Sequence, residues 1–268
     1  MSDAHKPPRV LAVANQKGGV GKTTTAINLG TALTAVGERV LLIDSDPQGN
    51  ASTGLGVLPH MRRNTLYDVM MDNLPISVSI VQTDIPGLDL VPAEADLSGV
   101  ELELGQTSRR AFRLRDALST AAQAGYQHVL IDCPPSLNLL TVNAMTAADG
   151  VLVPLQCEFF ALEGLTQLLR TVEQVRTSLN PSLQIQGVVL TMYDKRNSLS
   201  AQVAKDVRDH LGDLVYETVI PRNVRVSEAP SFGKPAIIYD LHCAGSQAYL
   251  ALAREVMDRE GERAKVQL

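Results

Sequence analysis

The stretch Gln16-Lys17-Gly18-Gly19-Val20-Gly21-Lys22-Thr23-Thr24 limits what this 268-residue chain can fold into more than any other segment. An apolar run at 10–13 precedes it, and a segment with helical spacing follows it from Thr25 to Leu33. Strand, glycine-rich turn and helix, in that order, form the context a phosphate-binding loop requires. Gly18, Gly19 and Gly21 tolerate positive φ and add no bulk, so backbone N–H groups from Gly18 through Thr24 can converge on an anion. The helix that follows adds its unpaired N–H groups and the positive end of its dipole. Lys22 is placed to reach terminal phosphates and the Thr23 hydroxyl to ligate Mg²⁺.

The usual form of such a loop, G-x-x-x-x-G-K-[ST], needs glycine where this chain has Gln16. A second lysine, Lys17, stands just before the glycine pair. By itself an extra loop lysine reads as a solvated charge.

Around the loop the chain alternates between strand and helix signals. Buried parallel strands are expected at 10–14, 40–43, 88–91, 129–131, 151–155, 188–190 and 215–220. Helices are expected at 23–36, 64–72, 108–124, 138–147, 162–179, 199–211 and 246–259. This order implies βαβ crossovers and an α/β fold: a doubly wound, mainly parallel sheet flanked by helices. A short polar tail, 1–8, precedes a single domain, 9–268. Ligands in such sheets sit at the carboxyl ends of strands, where the remaining motifs fall.

Leu41-Leu42-Ile43-Asp44-Ser45-Asp46-Pro47-Gln48 delivers two carboxylates to one strand end, and alternation along an extended chain aims Asp44 and Asp46 to the same side. Val129-Leu130-Ile131-Asp132-Cys133-Pro134-Pro135-Ser136 is another strand ending in a carboxylate. Alone, the first is equally a turn rich in Asp, Pro and Gly, and the second is a weak signal. Its prolines stiffen the turn, and Ser136 to Asn138 offer a cap for the next helix.

Taken together, K-G-G-V-G-K-T-T, D-x-D-P-Q and D-x-P-P-S resemble the deviant Walker A, Walker A′ and switch II motifs of the ParA/MinD ATPases, and the likeness to the ParA/Soj branch runs from Val10 to about Met257. The resemblance implies a P-loop ATPase using ATP and Mg²⁺. It implies that Lys17 crosses a dimer interface to the partner's nucleotide, that Asp46 positions the attacking water, and that Asp44 and Asp132 join Thr23 in the Mg²⁺ shell. Phosphoryl transfer needs positioning and charge neutralisation more than a strong base, which suits that division of roles.

Two further segments face the base in this reading. Thr191-Met192-Tyr193-Asp194 stands where guanine readers carry N/T-K-x-D, with Met192 in place of the lysine. The resemblance favours adenine, held here and by Pro221-Arg222-Asn223, although the residues themselves do not separate ATP from GTP. Next comes an amphipathic helix with Leu199, Val203, Val207 and Leu211 on one stripe and Lys205 and Arg208 on the solvent side; Asn197 or Ser198 is its natural N-cap. Asp206, Asp209 and Asp213 lie among those basic residues, so by itself the helix reads as a solvated face. Resemblance to ParA/Soj assigns nonspecific DNA contact to Arg196 and Arg225, with Lys205 and Arg208 beside them. It also implies an ATP-bound homodimer on DNA and a ParB-type partner that stimulates hydrolysis. The expected location is cytoplasmic, associated with the nucleoid.

The net charge of −5 makes any DNA surface a local patch. Three separated cysteines, Cys133, Cys157 and Cys243, read as reduced thiols. No apolar run approaches the about 20 residues of a membrane span. The alternative readings are a MinD-like regulator at a membrane and a nitrogenase-iron-protein relative. Against the first, residues 246–259 carry Tyr249, Leu252, Val256 and Met257 as a core-facing stripe rather than a basic membrane-binding face. Against the second, Cys133 has no suitably placed partner cysteine.

Overall fold

The structure, a computed structural model, describes residues 7–105, 107–121, 125–159 and 161–266. Most of the expected polar tail and the end of the helix expected at 108–124 therefore lie outside the described residues. The first half of the chain runs β1 (Arg9–Val13), α1 (Lys22–Ala35), β2 (Val40–Asp44), α2 (Asn50–Gly54), α3 (Leu66–Met71), β3 (Val81–Gln82), β4 (Leu88–Val91), α4 (Val100–Leu104) and α5 (Arg113–Ala121). The second half runs β5 (His128–Asp132), α6 (Leu139–Ala147), β6 (Gly150–Gln156), α7 (Ala161–Ser178), β7 (Gln184–Tyr193), α8 (Ser198–Leu211), β8 (Val215–Pro221), α9 (Val224–Glu228), α10 (Ala236–Tyr239) and α11 (Ala244–Val266).

The described strands form one sheet in the order β3-β4-β2-β5-β1-β6-β7-β8. Every pairing is parallel except that of β3 with β4. The strands read as continuous apolar runs because both faces are covered. Period-two alternation divides them cleanly. Leu11, Val13, Leu42, Leu130 and Leu152 pack with α1 and α11, while Ala12, Leu41, Ile43, Ile131 and Val153 pack with α3 through α8. Tyr249, Leu252 and Val256 of α11 are fully or almost fully buried, so the last helix is a core element, as its apolar stripe suggested. Replacing such a leucine by alanine costs about 2–5 kcal/mol.

Strand order builds the site. β1 lies between β5 and β6, and β5 separates β1 from β2. The loop leaving β1 and the carboxyl ends of β2 and β5 therefore share one edge, with Val13 in register with Asp132 and Asp132 with Asp44.

Several expected elements have different limits. The helix expected at 108–124 begins as a 3-10 turn, Arg110–Phe112, and becomes α-helical only at Arg113. β7 extends well beyond 188–190 because β6 pairs with it from Gln184 to Thr191. α11 runs to Val266, past the expected end at 259. The short helices α2, α4, α9 and α10 and the two-residue β3 carry no periodicity long enough to read. The expected caps are present: Asn138 accepts from Leu140 and Thr141 N–H, and Asn197 accepts from Leu199 N–H.

Candidate nucleotide-binding site

The loop between β1 and α1 has the conformation an anion cradle needs. Gly19 and Gly21 have φ of 74° and 89°, in the left-handed region where a side chain is strained. A Cβ at Gly18 or Gly19 would meet nothing within 4 Å beyond the adjoining residues, so the loop is open at both glycines. The loop is braced from beneath by two buried polar side chains. Asn15 donates to the Pro154 carbonyl at 2.8 Å and accepts from Lys17 N–H at 3.0 Å, and the Thr191 hydroxyl donates to the Val20 carbonyl at 2.8 Å. Lys22 is 7% exposed and its Nζ donates to the Lys17 carbonyl at 3.0 Å. Burial lowers its pKa, opposed by the nearby charge of Asp132 and Asp46. A buried ammonium satisfied by one carbonyl keeps further donors for an anion.

Asp44 and Asp132 are both 0% exposed. Asp44 accepts from Ser52 N–H at 2.8 Å, the Ser52 hydroxyl at 2.7 Å and Asp46 N–H at 3.2 Å. Asp132 has neither carboxylate oxygen in a hydrogen bond; the Thr23 side chain is near enough to temper its pKa but does not complete the bond. Burial raises the pKa of both acids; the charge of Asp46 adds to the rise in each, and that of Asp44 to the rise of Asp132. Asp46, just beyond the strand end, is 8% exposed and accepts from Gln48 N–H at 3.0 Å.

Three carboxylates beside one buried lysine leave an excess of negative charge, and an unpaired buried carboxylate is costly. That excess is the condition a divalent cation relieves. Among the described residues no three His, Cys, Asp or Glu side chains converge as a closed metal cage. Mg²⁺ suits this arrangement, since it takes one or two carboxylates and completes its shell with phosphate oxygens and water. Thr23, Asp44 and Asp132 fit it on these grounds.

Lys17 does not project freely. Its Nζ lies 2.5 Å from Glu158 Oε2, just beyond the end of β6, so the second lysine is paired within its own chain. Nothing in the sequence pattern points to Glu158, Asn15 or Ser52. Glu158 lies 141 residues from its partner, and Asn15 and Ser52 are ordinary polar residues until β6 and Asp44 are placed beside them.

Met192 and the 221–223 segment come together at the ends of β7 and β8, where Arg222 N–H donates to the Tyr193 carbonyl at 3.0 Å. Met192 has φ of 51°, a strained value for a non-glycine residue, and its Cε stands near Gly21 of the loop. The Asn223 side chain is engaged in capping α9 through Val226 N–H.

Of the basic residues, Arg196 and Arg225 follow the ends of the adjacent strands β7 and β8 and are exposed. Arg196 grips Asp194 through Nε at 3.0 Å and an amino group at 2.9 Å, and those bonds hold Asp194 down at about 2. Arg225 pairs with Glu228 at 3.2 Å and Asp240 at 3.6 Å, and Lys205 with Asp209 at 2.5 Å. The solvent-side placement expected of Arg208 is corrected. Its half-buried guanidinium turns back to the Tyr216 and Glu217 carbonyls, both at 3.3 Å, at the start of β8. Helical spacing set it off the apolar stripe but did not show that β8 lies beside it.

A β1–loop–α1 cradle with a buried lysine, facing acid-tipped neighbouring strands, defines a P-loop nucleotide-binding protein of the doubly wound type. The family model for the AAA domain matches residues 8–185. The chain is 75% identical over 258 residues to the chromosome partitioning protein ParA of Caulobacter vibrioides (strain NA1000 / CB15N), covering 96% of this chain and 97% of that one. It is 52% identical to the sporulation initiation inhibitor protein Soj of Bacillus subtilis (strain 168), covering 92% and 98%. The solved structure of cobyrinic acid a,c-diamide synthase from Mycobacterium smegmatis, with bound ATP analog and magnesium, superposes with a TM-score of 0.80 at 41% identity, covering 92% of this chain and 93% of that one. The chain belongs to the ParA/Soj family of chromosome-partitioning proteins.

Proposed function

We propose that this protein is an ATP-dependent DNA-partitioning ATPase whose ATP-bound dimer holds DNA nonspecifically until a ParB-type partner stimulates hydrolysis. The observation that carries this reading is the orphaned, fully buried Asp132 carboxylate beside Lys22 and the open glycine loop. Backbone N–H groups of residues 18–24 bind the triphosphate, and Lys22 neutralises its terminal oxygens. Thr23, Asp44 and Asp132 would hold Mg²⁺, which would supply charge neutralisation on the phosphates. Asp46 orients the attacking water. Met192 and residues 221–223 take the adenine.

Lys17 links hydrolysis to assembly. To reach a partner's phosphates it must leave Glu158, and an exposed ion pair of this kind is worth about 0–1 kcal/mol. That is a small barrier against a charge-assisted bond to a triphosphate. Arg225 and Lys205 likewise exchange a solvent-accessible carboxylate for a DNA phosphate at little cost, whereas Arg196 must release a two-bond grip on half-buried Asp194. A dimer doubles the patch, and bonds to several phosphates act together. The switch is an order change of the Asp46 and Asp132 loops around the γ-phosphate.

Gel shift of double-stranded DNA with ATP, ADP or no nucleotide tests the reading. Retardation that appears only with ATP is expected. Equal retardation in all three conditions, or in none, overturns it. Among the described residues no helix is long and apolar enough to cross a membrane, and co-sedimentation with liposomes in ATP would favour the MinD-like alternative.

A further inference from the structure

The helix that holds Asp44 is too short to hold itself. α2 spans only Asn50–Gly54, its N-cap is Gly49 with no capping side chain, and its first turn contains no acidic residue. Even so it supplies two of the three donors to Asp44, through Ser52, and Gly49 N–H closes the Asp46 turn onto the Asp46 carbonyl at 2.9 Å. An isolated helix of this length does not persist in water. Something outside it fixes its position.

That something is Arg62. Its guanidinium reaches four oxygens: Nε and one amino group donate to the Val57 carbonyl at 3.0 and 2.9 Å, that amino group's second hydrogen goes to the Thr53 hydroxyl at 2.7 Å with the Gly49 carbonyl sharing it more weakly at 3.4 Å, and the other amino group donates to the Ala93 carbonyl at 2.8 Å. These acceptors are the N-cap of α2, its body, the chain that leaves it and the segment just after β4. Ala93 closes the circuit from the other side, since its N–H donates to the same Ser52 hydroxyl that serves Asp44, at 3.2 Å. Gly49 is required by this packing. Its φ is 61°, and a Cβ there would run into the Arg62 guanidinium and come within 2.9 Å of the Ala93 carbonyl. Among the described residues Arg62 makes no ion pair. Its charge is met by peptide and hydroxyl oxygens, which makes each bond charge-assisted.

We propose that Arg62 is a positioning residue of the nucleotide site, locking α2 so that Asp44 and Asp46 stay aimed at metal and water. This rests on the ATPase reading above. Lysine cannot replace it, because three donors radiating from one nitrogen do not reproduce a planar fork spread over four acceptors.

The test compares wild type with Arg62→Lys, Arg62→Ala and Thr53→Val, and uses Arg63→Ala, an adjacent exposed arginine, as the charge-matched control. The first readout needs no nucleotide: amide hydrogen exchange of the peptide covering residues 46–57 in the free protein, with circular dichroism confirming that each variant is folded. Exchange in that peptide is expected to speed up about tenfold or more in Arg62→Lys and Arg62→Ala, with α11 unchanged, and less in Thr53→Val. The second is ATP turnover against nucleotide affinity. A fall in kcat of about tenfold or more is expected, with Kd for ATP changed less than about threefold, and the Mg²⁺ concentration for half-maximal rate should rise. Unchanged exchange in residues 46–57, or full rescue by lysine, overturns the proposal. If Arg62→Ala does not fold, Thr53→Val and Arg62→Lys decide it by the same exchange readout. Accelerated exchange in a protein whose wild type hydrolyses no ATP would sustain the clamp and sink the ATPase reading, so the two failures are separable.

Discussion

Ser52→Ala isolates the support beneath Asp44 with the removal of one oxygen. In the folded chain that hydroxyl donates to Asp44 at 2.7 Å and accepts from Ala93 N–H at 3.2 Å, in a position with no solvent exposure. The variant keeps the Ser52 and Asp46 backbone donors to Asp44 but loses the hydroxyl bond, which as a bond to a charged group is worth about 1.5–3 kcal/mol. It also strands a buried amide, at about 1–3 kcal/mol. The two share one atom and do not add fully, so the expected destabilisation is about 3 kcal/mol. For a domain of this size that is a fall in Tm of roughly 6–12 °C. The assay is urea and thermal unfolding in the absence of nucleotide and Mg²⁺, with Ser98→Ala as control. Ser98 is exposed and bonds only within its own turn, so its loss should stay within about 0.5 kcal/mol. A Ser52→Ala variant within about 0.5 kcal/mol of wild type would show that Asp44 draws nothing from this hydroxyl.

The other expectations concern the switch, the DNA patch and the last helix. Lys17→Ala should bind ATP but form no ATP-dependent dimer by light scattering; a normal dimer would leave the Glu158 pair as that lysine's whole role. Asp46→Ala should bind ATP, dimerise and fail to turn over, and normal phosphate release would reassign the water-orienting group. Arg196→Ala and Arg225→Ala should weaken DNA binding regardless of sequence and make the salt slope shallower by about 0.9 for each phosphate no longer neutralised, whereas unchanged affinity in both would put the patch elsewhere. Burial would raise the Glu255 pKa, but the Thr218 and Glu217 amides together with Arg259 prevail and hold it below its usual 4.5. Its contribution is therefore present above that value and lost as pH falls through the lower folded one. Unfolding free energies of wild type and Glu255→Gln should differ at neutral pH and converge as the medium is acidified below the ordinary carboxylate range, and a gap independent of pH would count against the assignment.

The amino-acid sequence alone determined the strand–loop–helix unit at the nucleotide site, the three carboxylates and most of the sheet. These are local signals: apolar runs place strands, glycines at positive φ place the loop, and a carboxylate after an apolar run lands at a strand end whatever its neighbours are. Which strands are neighbours was decided only by the tertiary structure, because parallel order depends on crossovers that no short window contains. That order put Asp132 beside Asp44, turned Lys17 onto Glu158 across 141 positions, and drew Arg208 into the start of β8 instead of out to solvent. It also made Ser52 and Arg62 part of the site. Each is a commonplace polar residue in the chain, and each gains its role from oxygens and amides that folding alone brings within reach of its side chain.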